Sequence, residues 1–338
     1  MLLSVLMPSN RNLANSRRAI ETALAFCEKR DALLIVSDNS RDPEKRAALS
    51  NVSPRLRYIQ PPDDTPHTNL LTVLAAAETA FVLMMGDDDE LFVSPKDIPL
   101  DLAALEPDCI GVRPLVAVAS SAGRVMRVKD FALLDETPGA RVMTYNSHAK
   151  GDNAAYYSIF RRQPYIDLLR FFLTHHPLKA GFSDWALTCV LFSYGRLPYD
   201  PGIIFKYNFH QWDDAGKLEE QTRSSFAAVG LPETAERFKL LLLYLDILIL
   251  ALRKGSPLDQ AGKRDLAEHA GGPILAGFLK KVAAEPQSYG KDASALAERI
   301  WREPDASRQF DLALDMADCI QPGLAARFRA FHRIAMKG

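Results

Sequence analysis

The residues best suited to chemistry in this chain are three consecutive aspartates, Asp87, Asp88 and Asp89, which closely follow an apolar run at residues 80–85. An apolar run of this length before turn-forming residues predicts a buried strand. Neighbouring carboxylates repel one another by about 1 kcal/mol even in a high dielectric, unless a positive group lies between them. Hard divalent cations such as Mg²⁺ and Mn²⁺ bind carboxylate oxygens. The triplet therefore fits a metal site, although a solvated acidic turn fits it equally well.

A second polar segment, Pro8-Ser9-Asn10-Arg11, ends the first predicted strand. A bend there would present backbone amides and an arginine at the carboxyl edge of the sheet, where ligands bind in open α/β proteins. Such an edge could hold a nucleotide. Local sequence alone favours a simpler turn, in which Asn10 or Asn12 caps the following helix.

Two isolated carboxylates also lie at the ends of predicted elements. Asp38 ends the second strand, where it could accept hydrogen bonds from a nucleotide base or a ribose, or form a tight turn. Asp184 lies where a helix should begin, with Ser183 as a candidate N-cap. Beside Trp185 in a cleft wall, Asp184 could act as a general base, although local sequence favours a capping or dipole role.

His210 is a further candidate, in the aromatic segment that closes the mixed region together with Tyr207 and Trp212. It could bind a metal ion or a diphosphate, whereas a single histidine after a strand is more often structural. The other six histidines show no metal-binding spacing such as HExxH.

Strand and helix patterns alternate through the first ninety residues. Strands are predicted at residues 2–7, 32–36, 56–59 and 80–85, and helices at 13–30, 42–49 and 68–79. This order predicts a parallel sheet flanked by helices, with right-handed crossovers. The polar segments described above then meet at one sheet edge, because they follow strands that run in the same direction.

Beyond residue 110 the periodicity is weaker and then changes in kind. Strands are predicted at 110–119, 124–128, 153–160 and 203–209, with helices at 163–174 and 184–193. From about residue 217 onward the pattern is helical almost without a break. We therefore predict an α/β domain at residues 1–215, with a mixed, mainly parallel sheet, and an all-α domain at residues 216–338.

The longest apolar stretch, residues 238–252, contains Lys239 and Asp246. It is shorter than the ~20 residues that a membrane span needs, and we interpret it as a buried helix. A dimerising or membrane-peripheral surface is the alternative, since a helix that is apolar on so many faces must be covered. Amphipathic helices predicted at 293–301 and 310–320 could cover it. Bracing of the α/β domain is the favoured role for the helical region.

Composition and charge exclude several classes of protein. The chain has 338 residues, of which 48% are hydrophobic and 25% charged, with a net charge of −1, so it lacks the basic surface of a nonspecific nucleic-acid binder. Its four cysteines are widely spaced, which argues against a zinc site and a disulfide scaffold and fits a reducing compartment. The apolar N-terminal residues reach Pro8 too soon for a signal peptide. A cytoplasmic protein is expected, with the inner membrane face as a further option.

Taken together, the segments SVLMPSNR, LLIVSDNS, FVLMMGDDDEL and FSDWAL resemble those of family 2 glycosyltransferases, which have the GT-A fold. The resemblance covers roughly residues 3–212. It implies an inverting transferase that uses a divalent metal, Mn²⁺ or Mg²⁺, and a UDP-, GDP- or dTDP-sugar donor. The acceptor would be a saccharide, a lipid-linked group or a protein, in polysaccharide or glycoconjugate synthesis. A homodimer formed through the helical region is compatible with it.

The resemblance also implies roles for individual residues. Gly86 stands where many members carry another aspartate, and Ser183 where they carry a glutamate before the catalytic base. By the family pattern, Asp184 is the base that deprotonates the acceptor hydroxyl, and its ordinary pKa of about 4 keeps it ionised at neutral pH. The nucleotide-sugar pocket maps onto Pro8, Ser9, Asn10, Arg11, Asp38, Asn69 and Asp87, and the metal site onto Asp88, Asp89 and His210.

Two other functions remain open at this stage. Metal-dependent nucleotidyl transfer also uses clustered carboxylates, but the chain has neither a P-loop nor a glycine-rich loop after its first strand. An NAD-dependent oxidoreductase is disfavoured because GxGxxG is absent. A non-catalytic sugar-nucleotide-binding or scaffold protein is the non-enzymatic alternative, and the serine before Asp184 supports it.

Overall fold

The structure, a computed structural model, describes residues 1–120, 123–149, 151–179, 183–209, 220 and 223–337. The chain forms two compact units that are interleaved along the sequence. The first unit consists of Met1–Leu134, His148–Arg170 and Gly195–Asp213, and the second of Asp135–Ser147, Phe171–Tyr194 and Asp214–Gly338. The second unit thus includes two segments that precede residue 215. A single boundary at residue 215 stays a prediction.

The first unit is built on a sheet of nine strands among the described residues. Their order is β3-β2-β1-β4-β8-β6-β9-β5, with β7 beside β6. The strands are β1 (Leu3–Ser9), β2 (Leu33–Asp38), β3 (Leu56–Ile59), β4 (Phe81–Met84), β5 (Glu90–Val93), β6 (Gly111–Ala119), β7 (Val125–Lys129), β8 (Ile159–Arg161) and β9 (Tyr199–Asn208).

Strand direction changes along this sheet. The first four strands are mutually parallel, and β9 is parallel to β6, whereas β8 runs antiparallel to both β4 and β6. Strands β5 and β7 pair antiparallel with β9 and β6. The predicted mixed α/β fold is confirmed. The mixed, mainly parallel sheet is confirmed as well, since β6 and β9 run in the same direction as the first four strands, and of the described strands only β5, β7 and β8 run in the opposite direction.

Three helices cross over between the first four strands: α1 (Leu13–Lys29), α2 (Pro43–Leu49) and α3 (Pro66–Ala75). Each has a side-chain N-cap, from Asn12, Asp42 and Thr65 respectively, that accepts a backbone N–H of the first turn. The capping role considered for Asn12 is therefore confirmed. One side of α1 packs buried residues including Ala23, Phe26 and Cys27 into the core of the first unit.

Two elements have no counterpart in the sequence prediction, and one prediction was wrong. Strand β5 follows the aspartates directly and begins with Glu90, whose charge is paired with Arg18 and Lys206, so its pattern does not look like that of a buried strand. A helix at Pro138–Ala149 is also new. The predicted strand at 153–160 is instead a 3₁₀ turn, Ala154–Tyr156, followed by the short strand β8.

The remaining helices form most of the second unit, and one of them, Arg162–His175, begins in the first unit. The central helix of the second unit, α7 (Lys239–Leu252), is buried on most faces, so the predicted buried helix is confirmed. It packs against α6 (Asp184–Ser193), α9 (Gly272–Ala284), α12 (Ala306–Met316) and α13 (Leu324–Lys337). Among the described residues, no helix is both long enough and apolar enough to span a bilayer. The helices are α4 (Pro138–Ala149), α5 (Arg162–His175), α6 (Asp184–Ser193), α7 (Lys239–Leu252), α8 (Gln260–Leu266), α9 (Gly272–Ala284), α10 (Pro286–Tyr289), α11 (Lys291–Arg302), α12 (Ala306–Met316) and α13 (Leu324–Lys337).

Candidate active site

Strand register in the first unit brings the predicted site segments together. Ser9 is aligned with Asp38 on the neighbouring strand, and Leu6 is aligned with Met84 on the other side. Ser9 and Asp87 each lie three positions after the aligned residues Leu6 and Met84, and the Ser9 hydroxyl donates a hydrogen bond to Asp87 Oδ2 at 2.6 Å. The end of β1 therefore lies between Asp38 and the acidic segment, at the carboxyl edge of the parallel strands.

The loop after β1 wraps around the Asp87 carboxylate. The backbone N–H groups of Asn10 and Arg11 both donate to Asp87 Oδ2 at 3.1 Å. Arg11 Nε donates to Asp87 Oδ1 at 3.0 Å, and Arg11 Nη2 donates to Asp88 Oδ2 at 2.6 Å. Within the protein, a guanidinium and two backbone amides thus offset the repulsion between the first two aspartates. Pro8 lies in β1, two residues before this loop, and is partly exposed.

The third aspartate points into the protein. Asp89 is 1% exposed and accepts hydrogen bonds from the backbone N–H of Asn208 at 2.9 Å and of Gly86 at 3.2 Å. Burial, together with the charges of Asp88 and Asp87, raises its pKa to about 8 despite these bonds. The Asn208 side chain also donates to the Asp88 carbonyl. Asp89 therefore fastens the acidic segment to the end of β9, and its carboxylate oxygens are already used.

Gly86 provides the space that these carboxylates occupy. A Cβ atom added at Gly86 would lie 2.8 Å from Asp88 Oδ1 and 2.9 Å from Asp89 Oδ2. An aspartate here, as the family pattern often has, would displace both. In this acidic segment, the space next to Gly86 is therefore filled by carboxylate oxygens of Asp88 and Asp89, which would have to shift to admit a side chain.

Asp38 lies in a buried ion pair with Lys45, and both side chains are fully buried. Lys45 Nζ donates to Asp38 Oδ1 at 3.0 Å, to Ser9 Oγ at 2.5 Å and to the Arg11 carbonyl at 2.8 Å. The Tyr58 hydroxyl donates to the other Asp38 oxygen at 2.7 Å. The side chain predicted to read a base or a ribose is thus engaged within the protein, and through Lys45 it supports the loop after β1.

Asn69 supports the same loop from α3. Its side-chain amide donates to the Ser9 carbonyl at 3.0 Å and to Asn39 Oδ1 at 3.2 Å, and the residue is 3% exposed. Like Asp38, it holds the backbone at the strand ends. Of the predicted site residues at this edge, Pro8, Asn10, Arg11 and Asp88 are at least partly exposed.

The other two predicted site residues lie elsewhere in the chain. Asp184 is the first residue of α6 in the second unit and is partly buried. Ser183 occupies the N-cap position but makes no capping hydrogen bond with its side chain, contrary to the sequence prediction. His210 lies outside the described residues.

The carboxylate oxygens of the acidic segment are suitable ligands for a divalent cation. Within the part of the chain that the structure describes, no three His, Cys, Asp or Glu side chains cluster to hold a metal. Mg²⁺, however, is commonly bound by one or two carboxylates, with phosphate oxygens and waters completing its coordination. Asp88, whose side chain is 29% exposed, is the carboxylate that fits this arrangement.

Comparison with known proteins identifies the family. Residues 4–169, just under half of the chain, match the family model described as "Glycosyl transferase family 2". Residues 4–169 thus belong to the family 2 glycosyltransferases. The enzyme class and the fold predicted from sequence are confirmed, and a purely scaffolding role and nucleotidyl transfer are set aside. The match includes Ser9, Asp38 and all three aspartates.

Several solved structures of Staphylococcus aureus TarS resemble this family 2 chain. For TarS 1–349, the TM-score is 0.48 at 15% identity, covering 99% of this chain and 90% of that one. Its complex with UDP gives 0.48 at 17% identity, covering 98% and 88%, and its complex with UDP-GlcNAc gives 0.47 at 15%, covering 99% and 90%. No curated protein matches the sequence.

Geometry adds two residues that the sequence patterns did not single out. Lys45 lies in a short polar helix with no motif, and only its burial beside Asp38 reveals its role. Asn208 ends a strand more than a hundred residues from the aspartates that it contacts. For Lys45, the one signal in the sequence was its position seven residues after Asp38, which ends a strand. For Asn208, no local sequence feature indicated the contact.

Proposed function

We propose that this family 2 glycosyltransferase is an inverting, metal-dependent enzyme, which moves a sugar from a nucleoside-diphosphate donor to an acceptor hydroxyl in polysaccharide or glycoconjugate synthesis. The main support for the proposal is that the Arg11 guanidinium donates hydrogen bonds to both Asp87 and Asp88 at the carboxyl edge of parallel strands. A guanidinium beside an outward-facing carboxylate provides both kinds of group that a metal-bound diphosphate needs.

Arg11 is the residue that we assign to the leaving diphosphate. Its side chain is 37% exposed, and its guanidinium is held by two carboxylates, so it stays in place without a ligand. Preorganised charge of this kind stabilises negative charge that develops in a transition state. A divalent cation held by Asp88 would add Lewis-acid stabilisation of the same leaving group.

Asp184 is the residue that we assign to the acceptor. An acceptor hydroxyl is a weak nucleophile until a carboxylate takes its proton, and inversion requires a single base. Asp184 is the first residue of α6, where the positive end of the helix dipole favours the ionised carboxylate that a base must have. The absence of a glutamate at position 183 leaves this requirement unaffected.

The proposal is tested first by ligand-dependent stability. Thermal unfolding would be followed with UDP, GDP and dTDP and with their sugars, each with and without Mn²⁺. A donor at a hundred times its dissociation constant stabilises a protein by ~2.7 kcal/mol. We expect one nucleotide to raise the melting temperature, and to do so more strongly with Mn²⁺. If none does so, this chain is not a nucleotide-sugar enzyme of the proposed kind.

Asp88→Ala is expected to abolish the Mn²⁺-dependent part of that binding. Removing the outward carboxylate leaves the cation without its protein ligand, and we expect a loss of affinity in Mn²⁺ on the order of 10–100-fold. Isothermal titration of the nucleotide with and without Mn²⁺ measures it. Asp108→Ala is the matched control, since Asp108 is an exposed aspartate of the same unit that pairs with Arg196. Equal tightening by Mn²⁺ in Asp88→Ala and in wild type would remove Asp88 from the metal site.

A further inference from the structure

The second unit contains a small buried polar cluster within an apolar core. His176, Ser183 and Asp246 are at most 2% exposed. His176 Nε2 lies 2.8 Å from Asp246 Oδ1, and the Ser183 hydroxyl donates to Asp246 Oδ2 at 3.0 Å. Asp246 thus accepts one hydrogen bond on each oxygen. Ser183 directly precedes Asp184 in sequence, and His176 lies eight positions before it.

The histidine in this cluster has a defined tautomer. Its Nδ1 accepts hydrogen bonds from the backbone N–H of Leu178 at 3.2 Å and of Lys179 at 2.8 Å. Nδ1 therefore carries no proton, and the ring is a neutral imidazole that donates from Nε2 to Asp246. Aromatic rings of Phe172 and Phe331 pack against it at centroid distances of 4.4 and 5.1 Å. The ring joins the backbone after α5 to helix α7.

Ser183 is used in an uncommon way. A serine at the N-cap position normally accepts a hydrogen bond from the first turn of its own helix. Here its hydroxyl donates to Asp246, and it makes no capping bond. The start of α6 is therefore fixed to α7 rather than capped locally.

Stability alone does not explain an aspartate at this position. Asp246 lies in the middle of α7, in the sequence LLLLYLDILIL, and most of its neighbours along the helix are buried and apolar. Burying a carboxylate there has a desolvation cost that a leucine would not have. Its two hydrogen bonds both lead to the segment that ends at Asp184.

We propose that Asp246 is a positioning residue for Asp184, because it holds His176 and Ser183 and so fixes where α6 begins. The inference rests on the proposed role of Asp184 as the base. It gives the helical region a defined task in the reaction: α7 orients the residue that deprotonates the acceptor. Asp246 itself need not contact any substrate.

Two substitutions separate hydrogen bonding from charge. Asp246→Asn removes the charge but keeps both bonds, because the amide oxygen accepts from His176 and the amide nitrogen donates to the Ser183 oxygen. Asp246→Leu removes both bonds and fits the apolar helix. Asp265→Leu is the matched control, since Asp265 is a largely buried aspartate of the same unit that holds Gly139 at 2.6 Å, far along the chain from α6.

Hydrogen exchange of peptides covering residues 183–193 is the first readout, and it requires no substrate. In Asp246→Leu we expect exchange at the start of α6 on the order of tenfold faster than in wild type, with wild-type behaviour in Asp246→Asn and Asp265→Leu. Ser183→Ala loses one of the two bonds, so its exchange rate should lie between those of wild type and Asp246→Leu. It replaces Asp246→Leu as the test variant if Asp246→Leu does not fold. Unchanged exchange in both Asp246→Leu and Ser183→Ala would overturn the proposal.

Release of nucleoside diphosphate from UDP-glucose, UDP-N-acetylglucosamine and GDP-mannose is the second readout. For a donor that the wild type consumes, we expect Asp246→Leu to lower kcat by ~10²-fold with little change in donor KM, since misplacing a catalytic group by about 1 Å has an effect of that size. Asp246→Asn should restore most of the rate. If Asp184→Asn is inactive while Asp246→Leu keeps the wild-type kcat, the positioning role fails and the proposed function stands. If Asp184→Asn is fully active, the assigned base is wrong, whatever the exchange data show.

Discussion

Replacing Asp184 by asparagine is expected to lower turnover by ~10²–10⁴-fold and to leave nucleotide binding unchanged. The amide has nearly the same shape as the carboxylate but cannot take a proton from an acceptor hydroxyl. The helix should persist, since asparagine is accepted in the first turn and the apolar face of α6 is untouched. Steady-state release of nucleoside diphosphate, together with isothermal titration of the nucleotide, measures both parts.

A control aspartate distinguishes loss of the base from a general effect of removing a charge. Asp259→Asn is suitable, because Asp259 is the N-cap residue of α8 in the second unit, where it accepts the Gly262 N–H at 2.7 Å, and asparagine can cap equally well. It should leave turnover unchanged. A rate for Asp184→Asn within a few-fold of wild type would exclude Asp184 as the base.

Replacing Lys45 by methionine is expected to lower the free energy of unfolding by about 3–5 kcal/mol, the usual result of leaving a buried charge without its partner. Lys45 and Asp38 are both fully buried, and Lys45 also binds Ser9 and the Arg11 carbonyl. The remaining Asp38 carboxylate would be uncompensated, and the loop that holds Asp87 would lose its support. Denaturant unfolding measures the first effect and nucleotide titration the second.

Two comparisons make the Lys45 result specific. Lys29→Met removes a lysine of the same unit from an exposed pair with Asp97, which is worth at most about 1 kcal/mol. In a double-mutant cycle, Asp38→Asn should recover part of the stability lost in Lys45→Met, because the unpaired charge is then gone. A loss below about 1 kcal/mol in Lys45→Met would show that the buried pair contributes little.

The sequence predicts the parts of this fold that depend on local patterns. Apolar runs located β1, β2, β3 and β4, and polar residues after them placed Ser9 and Asp87 at one edge, as their hydrogen bond now shows. The α6 bounds match the prediction, since an aspartate precedes a mostly apolar run that only Thr188 interrupts before Ser193. These features follow from periodicity and from strands that share a direction.

The features missed depend on contacts between distant segments. The inward turn of Asp89 depends on Asn208, and the burial of Lys45 depends on Asp38 and Ser9. In the sequence, Asp246 is recognisable only as a charged residue within an apolar stretch, because its partners His176 and Ser183 lie more than sixty positions away. Local propensity contains no information about such pairs, so they become visible only once the chain is folded.

The way in which α6 is buried has a practical consequence for truncation. From Ala186 to Ser193 every residue of α6 is buried, and the helix packs against α7, which comes some fifty positions later in the chain. A fragment that stops near residue 215 would keep α6 and lose its cover, exposing leucine, valine and phenylalanine side chains to water. Such a fragment should aggregate on expression, so residues 1–215 of this enzyme are not a self-sufficient module.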